Sequence, residues 1–511
     1  MNSTNEKKPL DLLRQLGLIA AIACTAGAVI GSGIFRKPGL MASQLGSPEL
    51  LVLVWIVAGV MSLLGALSIG EVSGMFPDAG GQYVYFNKSY NPFIGFLYGW
   101  ACFAIIQSGS IASIAYVFSD SLGYFFTFPR LSAGLEAFAI HIPMLGDITP
   151  FKFFGLKMST IALLAFLTFI NYLGVKLGGE VQVVVTTMKI FAIGVIVAFA
   201  FTLGHGNVAN WTQSTPAFAS ASSASVFFLF IAAMAGAFWA YDGWINVTFV
   251  AGEIKDARKN VAKAMSIGMI ISIVIYILIN LAYIYVIPIE TMAARYKAAE
   301  AAGQSYLVAT DVAGSFWGNW GGSLIAVAIM ISTFGAANGI LMMSARVPFA
   351  MARERHFFKS LGVVHPKFRT PGAALVAQGI WASILVLSGT FDQLTDMLIF
   401  VSWIFYAAAA YSVIVLRKKM PDAPRPYRVW GYPIVPILFV LFSVVYVVFT
   451  LYNDITAFNK GEAPLINSVM GVLLVAIGIP GYLYWNHKKK HPHAGTRRVH
   501  PISSTATEDN H

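Results

Sequence analysis

Apolar residues run through this chain in long blocks and do not alternate with polar ones. Twelve blocks, at about 14–35, 47–73, 93–127, 151–173, 179–203, 225–250, 263–287, 321–348, 371–389, 394–416, 432–452 and 466–486, approach or exceed the roughly 20 residues that a helix needs to cross a bilayer. The pattern predicts an all-α polytopic membrane protein with twelve transmembrane helices. It divides the chain into a segment 1–13, a core 14–416 of ten helices, a further pair of helices with their preceding loop at 417–486, and a tail 487–511 that is Lys-, His- and Ser-rich and expected to be disordered. Between spans 7 and 8, Thr291–Gly303 reads as a short surface helix.

Two blocks break the pattern at mid-depth. The first contains Ala26–Phe35, AGAVIGSGIF, where Gly31, Ser32 and Gly33 stand at positions that a helix fills with large apolar side chains. Glycine costs about 1 kcal/mol against alanine in a helix. Unwound backbone at that depth is tolerated where protein buries it or where it lines a wet cavity. Close helix packing through Gly27 and Gly31 explains the same residues equally well. The sixth block contains Ala235–Trp244, AGAFWAYDGW, with aromatics, an acid and two glycines at the same depth. Interrupted helices at corresponding positions of two halves point to a transporter site, and a separation of five spans is what a five-plus-five inverted repeat requires.

A broken helix offers backbone groups of both polarities: unpaired N–H groups at the outgoing half and unpaired carbonyls at the incoming one. Within the candidate binding stretch Val29, Ile30, Gly31, Ser32 and Gly33, the N–H groups of Gly31, Ser32 and Gly33 thus present donors for a carboxylate. The carbonyls of Val29, Trp239, Ala240 and Asp242 suit an ammonium. Together they fit a zwitterionic α-amino acid.

Composition and charge narrow the class. The chain is 57% hydrophobic and 11% charged, with a formal net charge of +11. Placing the N-terminus inside puts 25 of the 34 Lys and Arg residues in cytoplasmic segments, the bias that orients membrane proteins. The basic residues occupy alternate loops and form no single face for nucleic acid. The first block lacks a small-residue cleavage site and reads as a retained span. Cys24 and Cys102 lie in apolar runs, so neither an exposed disulfide nor a metal site is expected, and no cofactor is implied. Arg36 and Lys37 run against the charge bias and are expected to snorkel outward. Glu71 and Asp120 are expected to face the interfaces.

Lys189 is the one lysine inside a span, a functional candidate by default. Three readings stay open: it snorkels, it occupies a place where other transporters hold sodium, or it carries a proton. Asp242 either favours polar substrates or caps the helix break. Trp239, Tyr241, Trp244, Trp403 and Tyr406 are gate candidates.

Several blocks carry a resemblance that covers nearly the whole chain: VIGSGIF from Val29, GGQYVYFNKSY from Gly80, WAYDGW from Trp239, SARVPFAMARERHFF from Ser344 with HPKFRTP from His365, and LRKKMPDAPRPYRVWGYPIVP from Leu416. The chain resembles the amino acid–polyamine–organocation transporters, in particular the L-type amino acid transporter branch and its bacterial relatives. The resemblance implies a five-plus-five inverted repeat with broken helices 1 and 6, in a bacterial inner (plasma) membrane with both termini cytoplasmic. It implies sodium-independent exchange of neutral amino acids, with proton-coupled symport as the alternative and a channel or membrane-embedded enzyme as remote ones. By likeness, Ser32 and Gly33 bind the substrate carboxylate, the carbonyls of Val29, Trp239 and Asp242 bind the amino group, and Lys189 replaces sodium. Trp239 stands where many members carry a gating phenylalanine. The mammalian light chains have a cysteine after span three for a heavy-chain disulfide. Residues 128–150 here have none, so no covalently linked partner is expected.

Overall fold

A computed structural model describes residues 12–142, 146–301, 306–388, 391–461, 463 and 466–490. Most of segment 1–13 and nearly all of the tail 487–511 lie outside them. Eleven helices among the described residues are long and apolar enough to cross a membrane. The ninth block forms a shorter apolar helix, Gly372–Ser388. The chain is an all-α multi-pass membrane protein. Its one small sheet among the described residues is a hairpin pairing Ile140–Ile142 with Gly146–Ile148, in the loop after span 3. The helix expected near Thr291–Gly303 is present as Ile289–Ala301.

The elements follow from local chemistry. Span 2, Pro48–Met75, begins with Pro at its first position and with Ser47 Oγ accepting the Leu50 N–H at 3.2 Å, so its first turn is capped. Span 3, Pro92–Leu122, starts on Asn91, whose Oδ1 accepts the Ile94 N–H at 3.0 Å. It widens into one π-helical turn at Cys102–Ile106, which reorients the helix just before its cavity-facing stretch.

Spans 1, 3, 6, 8 and 10 are the most buried in the bundle, while spans 4, 5, 11 and 12 present most of their surface outward. The first and sixth spans, Leu18–Leu45 and Ser225–Glu253, are both interrupted, and both lie in the buried centre.

One expectation about charge is overturned. Glu71 does not face an interface; it is 1% exposed. Its Oε1 accepts from Arg417 Nε at 2.9 Å, and its Oε2 accepts from Arg417 Nη2 at 2.7 Å and from the Val429 N–H at 2.8 Å. Arg425 Nε lies 3.3 Å from Oε1. A buried carboxylate persists only with such partners. The cluster ties span 2 to the segment after span 10, a pairing across more than 340 residues that no local pattern announces. Asp120 behaves as expected, partly exposed and 3.6 Å from Arg36.

Candidate functional site

The first break is an inverse γ-turn. The incoming helix, Leu18–Val29, ends where Ile30 takes φ −72° and ψ 83°, and the Gly31 N–H donates to the Val29 carbonyl at 2.7 Å. The outgoing helix begins at Gly33. The first N–H groups of that helix have no partner within it. The Ser32 hydroxyl is buried and, among the described residues, without a hydrogen-bond partner.

Side chains from three other spans hold the carbonyls of this turn. Lys189 of span 5, 2% exposed, donates from Nζ to the carbonyls of Gly27 and Ile30, both at 2.8 Å. It does not snorkel. Ser332 of span 8 lies 3.3 Å from the carbonyls of both Ile30 and Gly31. Tyr276 of span 7 places its hydroxyl 2.8 Å from the Val29 carbonyl and 3.0 Å from that of Ala240. A hydroxyl has one proton, so Tyr276 donates to one break or the other at any moment.

The second break opens differently. The helix Ser223–Tyr241 ends as the Asp242 N–H donates to the Trp239 carbonyl at 3.2 Å. Asp242 is extended and Gly243 takes φ 100°, a conformation that side-chain-bearing residues rarely adopt. The chain resumes as a 3₁₀ stretch, Asn246–Glu253. The Asp242 carboxylate is 9% exposed, and its Oδ1 accepts from the Tyr406 hydroxyl at 2.6 Å. This bond ties the second break to span 10.

The two breaks face each other across a small enclosed cavity. Val29, Gly31, Ser32 and Gly33 line it from one side, and Trp239, Ala240 and Asp242 from the other. Ser110 and Ile114 of span 3 and Ile340 of span 8 complete the wall. The free space amounts to about one water. An amino acid enters only if the surrounding helices move apart.

Contacts join the chain beyond each end of this space. At the end where span 1 begins, the N–H groups of Gln15 and Leu16 donate to the Glu253 carbonyl at 2.9 and 3.0 Å, and the Lys255 N–H donates to the Leu16 carbonyl at 2.8 Å. Behind them, Glu253 and Arg346 form a fully buried pair, with Arg346 Nε donating to Oε1 at 2.7 Å and Nη2 to Oε2 at 3.2 Å. At the opposite end Lys37 sets its ammonium 5.7 Å from the Trp239 ring centroid. Lys37 is 4% exposed, so the expectation that it snorkels outward is corrected: it packs on an aromatic face inside the bundle.

Most of the gate candidates lie elsewhere. Trp239 alone lines the cavity. Tyr241 points away, its ring 5.8 Å from Trp55 of span 2 and 4.9 Å from Tyr276. Trp403 joins an aromatic cluster against span 11, with ring centroids 3.9 Å from Phe238 and 5.5 Å from Phe439. Trp244 packs on Tyr406 at 5.3 Å, and Tyr406 reaches the site through Asp242. Of the carbonyls expected to meet an ammonium, those of Val29 and Ala240 lie within hydrogen-bonding distance of Tyr276, and that of Trp239 accepts from the Asp242 N–H.

Tyr276, Ser332 and Ser110 were absent from the sequence reading. Each is an ordinary polar residue in an apolar span, and only an intramembrane hydroxyl at the right depth could have drawn attention to it.

A family model described as "Amino acid permease" matches residues 16–477. The chain is 30% identical to the "Serine/threonine exchanger SteT" of Bacillus subtilis, over 94% of this chain and 98% of that protein. It is 28% identical to the mouse "b(0,+)-type amino acid transporter 1" over 86% of this chain and 84% of that one. Similarity to the mouse "Large neutral amino acids transporter small subunit 2" is also 28%, over 94% and 83%.

Proposed function

The chain belongs to the amino acid permease family, and on that premise we propose that it exchanges neutral L-amino acids across a bacterial inner membrane without sodium, by alternating access. Both termini are cytoplasmic in this reading. Residues 14–416 form the transport core, and 417–486 add two spans that brace it. The relatives are transporters and exchangers by name, and no catalytic constellation is required.

The observation that carries the proposal is the Lys189 ammonium, held by the carbonyls of Gly27 and Ile30 at the first break. A fixed cation there satisfies the carbonyl ends of a broken helix, a task for which a transporter of this architecture otherwise needs a bound metal cation. Sodium independence follows from that substitution. The substrate carboxylate is received by the N–H groups of Ser32 and Gly33 and by the unpartnered Ser32 hydroxyl, its ammonium by the carbonyls near Trp239 and Asp242. The Trp239 indole and the side chains of Ile114 and Ile340 restrict the side-chain space, which favours serine-sized substrates over large ones. The cavity is uncharged on the side-chain wall contributed by span 3 and span 8, as a neutral substrate requires. The partners are the amino acid and the lipid bilayer. With Cys24 and Cys102 both buried, a disulfide-linked heavy chain has no attachment point on the described surface.

Counterflow in proteoliposomes tests the reading. Labelled serine is expected to enter several times faster when unlabelled serine is inside, with no change when potassium replaces sodium. Uptake driven by a pH gradient alone, without acceleration by internal substrate, would transfer the function to proton symport through the Lys189 amine. Absence of both for every amino acid would end the transporter reading.

A further inference from the structure

A second concavity lies away from the breaks. It is a groove of about 660 Å³ on the outward face of the bundle, between span 4 (Phe154–Leu173) and span 9. We propose that this groove holds an acyl chain of one anionic phospholipid, whose phosphate is bound by Lys367 and Arg369 at the groove's end.

The lining is almost wholly apolar, and its few hydroxyls are already used. Thr168 donates to the Leu164 carbonyl at 2.7 Å, and Ser383 donates to that of Gly379 at 2.8 Å. What remains is a hydrocarbon surface. Phe169, Val376 and Ile380 stand exposed on its rims, and buried Gly379 beside Thr168 forms its floor. A polar ligand finds no partner there, whereas a methylene chain gains the apolar contacts.

The groove's length selects one leaflet. From Ile161 to Tyr172 on span 4 the rise is roughly 16 Å, and from Val376 to Leu387 on span 9 it is the same. The hydrocarbon of one leaflet is about 15 Å thick.

Its two ends differ in charge. At the Tyr172 end, the loop before span 9 docks on span 4: Thr370 Oγ1 donates to the Tyr172 carbonyl at 2.9 Å, and the Tyr172 ring packs 5.2 Å from His365 and 5.8 Å from Phe368. That loop carries Lys367, which is exposed, and Arg369, whose Nε is buried with no hydrogen-bond partner among the described residues. At the Leu387 end the exposed Lys152 lies in the field of the Glu136 carboxylate, and Lys157 is already committed. Lys157 Nζ donates to the carbonyls of Thr149, Pro150 and Leu387 at 2.9, 3.3 and 3.2 Å. The larger share of uncompensated positive charge, on Lys367 and Arg369, therefore sits at the Tyr172 end of an apolar channel one leaflet long, which is the complement of a phospholipid with a negative headgroup. The inference depends only on the chain spanning a membrane, and it stands or falls apart from the transport reading.

Native mass spectrometry of the full-length protein, offered phosphatidylglycerol and phosphatidylcholine in equal amounts, tests it. The wild type is expected to retain phosphatidylglycerol preferentially. Lys367→Ala and Arg369→Ala should each lower that preference roughly fivefold. Ala165→Phe, at an exposed rim position, should fill the groove and reduce retention of both lipids. Equal retention of the two lipids by the wild type, or unchanged retention in all three variants, overturns the proposal. A dimer that Ala165→Phe dissociates while lipid retention persists would also overturn it, by assigning the groove to a second copy of the chain.

Discussion

The two helix breaks contain glycine for different physical reasons. At the first, Gly31 and Gly33 have negative φ, so the backbone there does not require glycine. What requires it at Gly33 is space: an added Cβ would lie 2.6 Å from the Ala240 Cβ and 2.7 Å from its Cα. Gly31 is looser, with no neighbour nearer than 3.8 Å. At the second break Gly243 takes φ 100°, so conformation as well as space demands it. The breaks also differ in how they are held. The first is gripped by Lys189, Ser332 and Tyr276, from three separate spans, whereas the second relies on Tyr276 and the Asp242–Tyr406 bond. The lesson is that the first break is held by side chains from three other spans, while the second adds to its two outside hydroxyls a backbone conformation that only glycine readily takes.

That contrast can be broken most forcefully at Lys189. Lys189→Ala leaves two buried carbonyls without their donor, each costing about 1–3 kcal/mol. Exchange is expected to fall by roughly a hundredfold or more while membrane expression persists; wild-type counterflow in this variant would show that the first break needs no outside grip. Next comes Gly33→Ala, whose Cβ cannot be accommodated without displacing the Ala240 backbone. A loss of about tenfold or more in substrate affinity is expected, on the order of 1.4 kcal/mol, measured by competition binding.

Tyr276→Phe removes the single hydroxyl that serves both breaks. The net worth of one hydrogen bond, about 1 kcal/mol, predicts a loss of roughly fivefold in exchange rate. A loss as large as that of Lys189→Ala would mean that the hydroxyl, and not the ammonium, organises the site. Gly31→Ala should have the smallest effect, within about twofold, because the space it would fill is open; this variant sharpens the distinction between the two glycines of one motif. A drop matching that of Gly33→Ala would point to the Gly31 backbone touching substrate directly.

How far the sequence could be read depended on whether a signal was local. The spans, the two interruptions and Lys189 were all legible, since each is a departure from an apolar run that the bilayer penalises. Lys37 and Glu71 were misread because burial by protein and burial by lipid look alike in one dimension. Their partners, Trp239 for the first and Arg417 and Arg425 for the second, come from distant segments. The positions of the gate aromatics were not legible for a related reason. Tyr241, Trp244 and Trp403 lie in or near the correct stretches, but which way a ring points is set by helix rotation against neighbours, and only Trp239 faces the cavity.

By itself, the sequence determined that the chain crosses a membrane many times, and it marked the glycines of the first and sixth spans and one lysine as departures from an apolar run. These follow from length, apolarity and the cost of polar groups in hydrocarbon, all of which act on single residues or short windows. Only the tertiary structure decided which groups satisfy the exposed backbone and which glycine stands for space and which for conformation. It also decided that the cavity between the breaks is about the size of one water. Those are matters of contact between helices far apart in the chain, and contact is a property of the packed bundle.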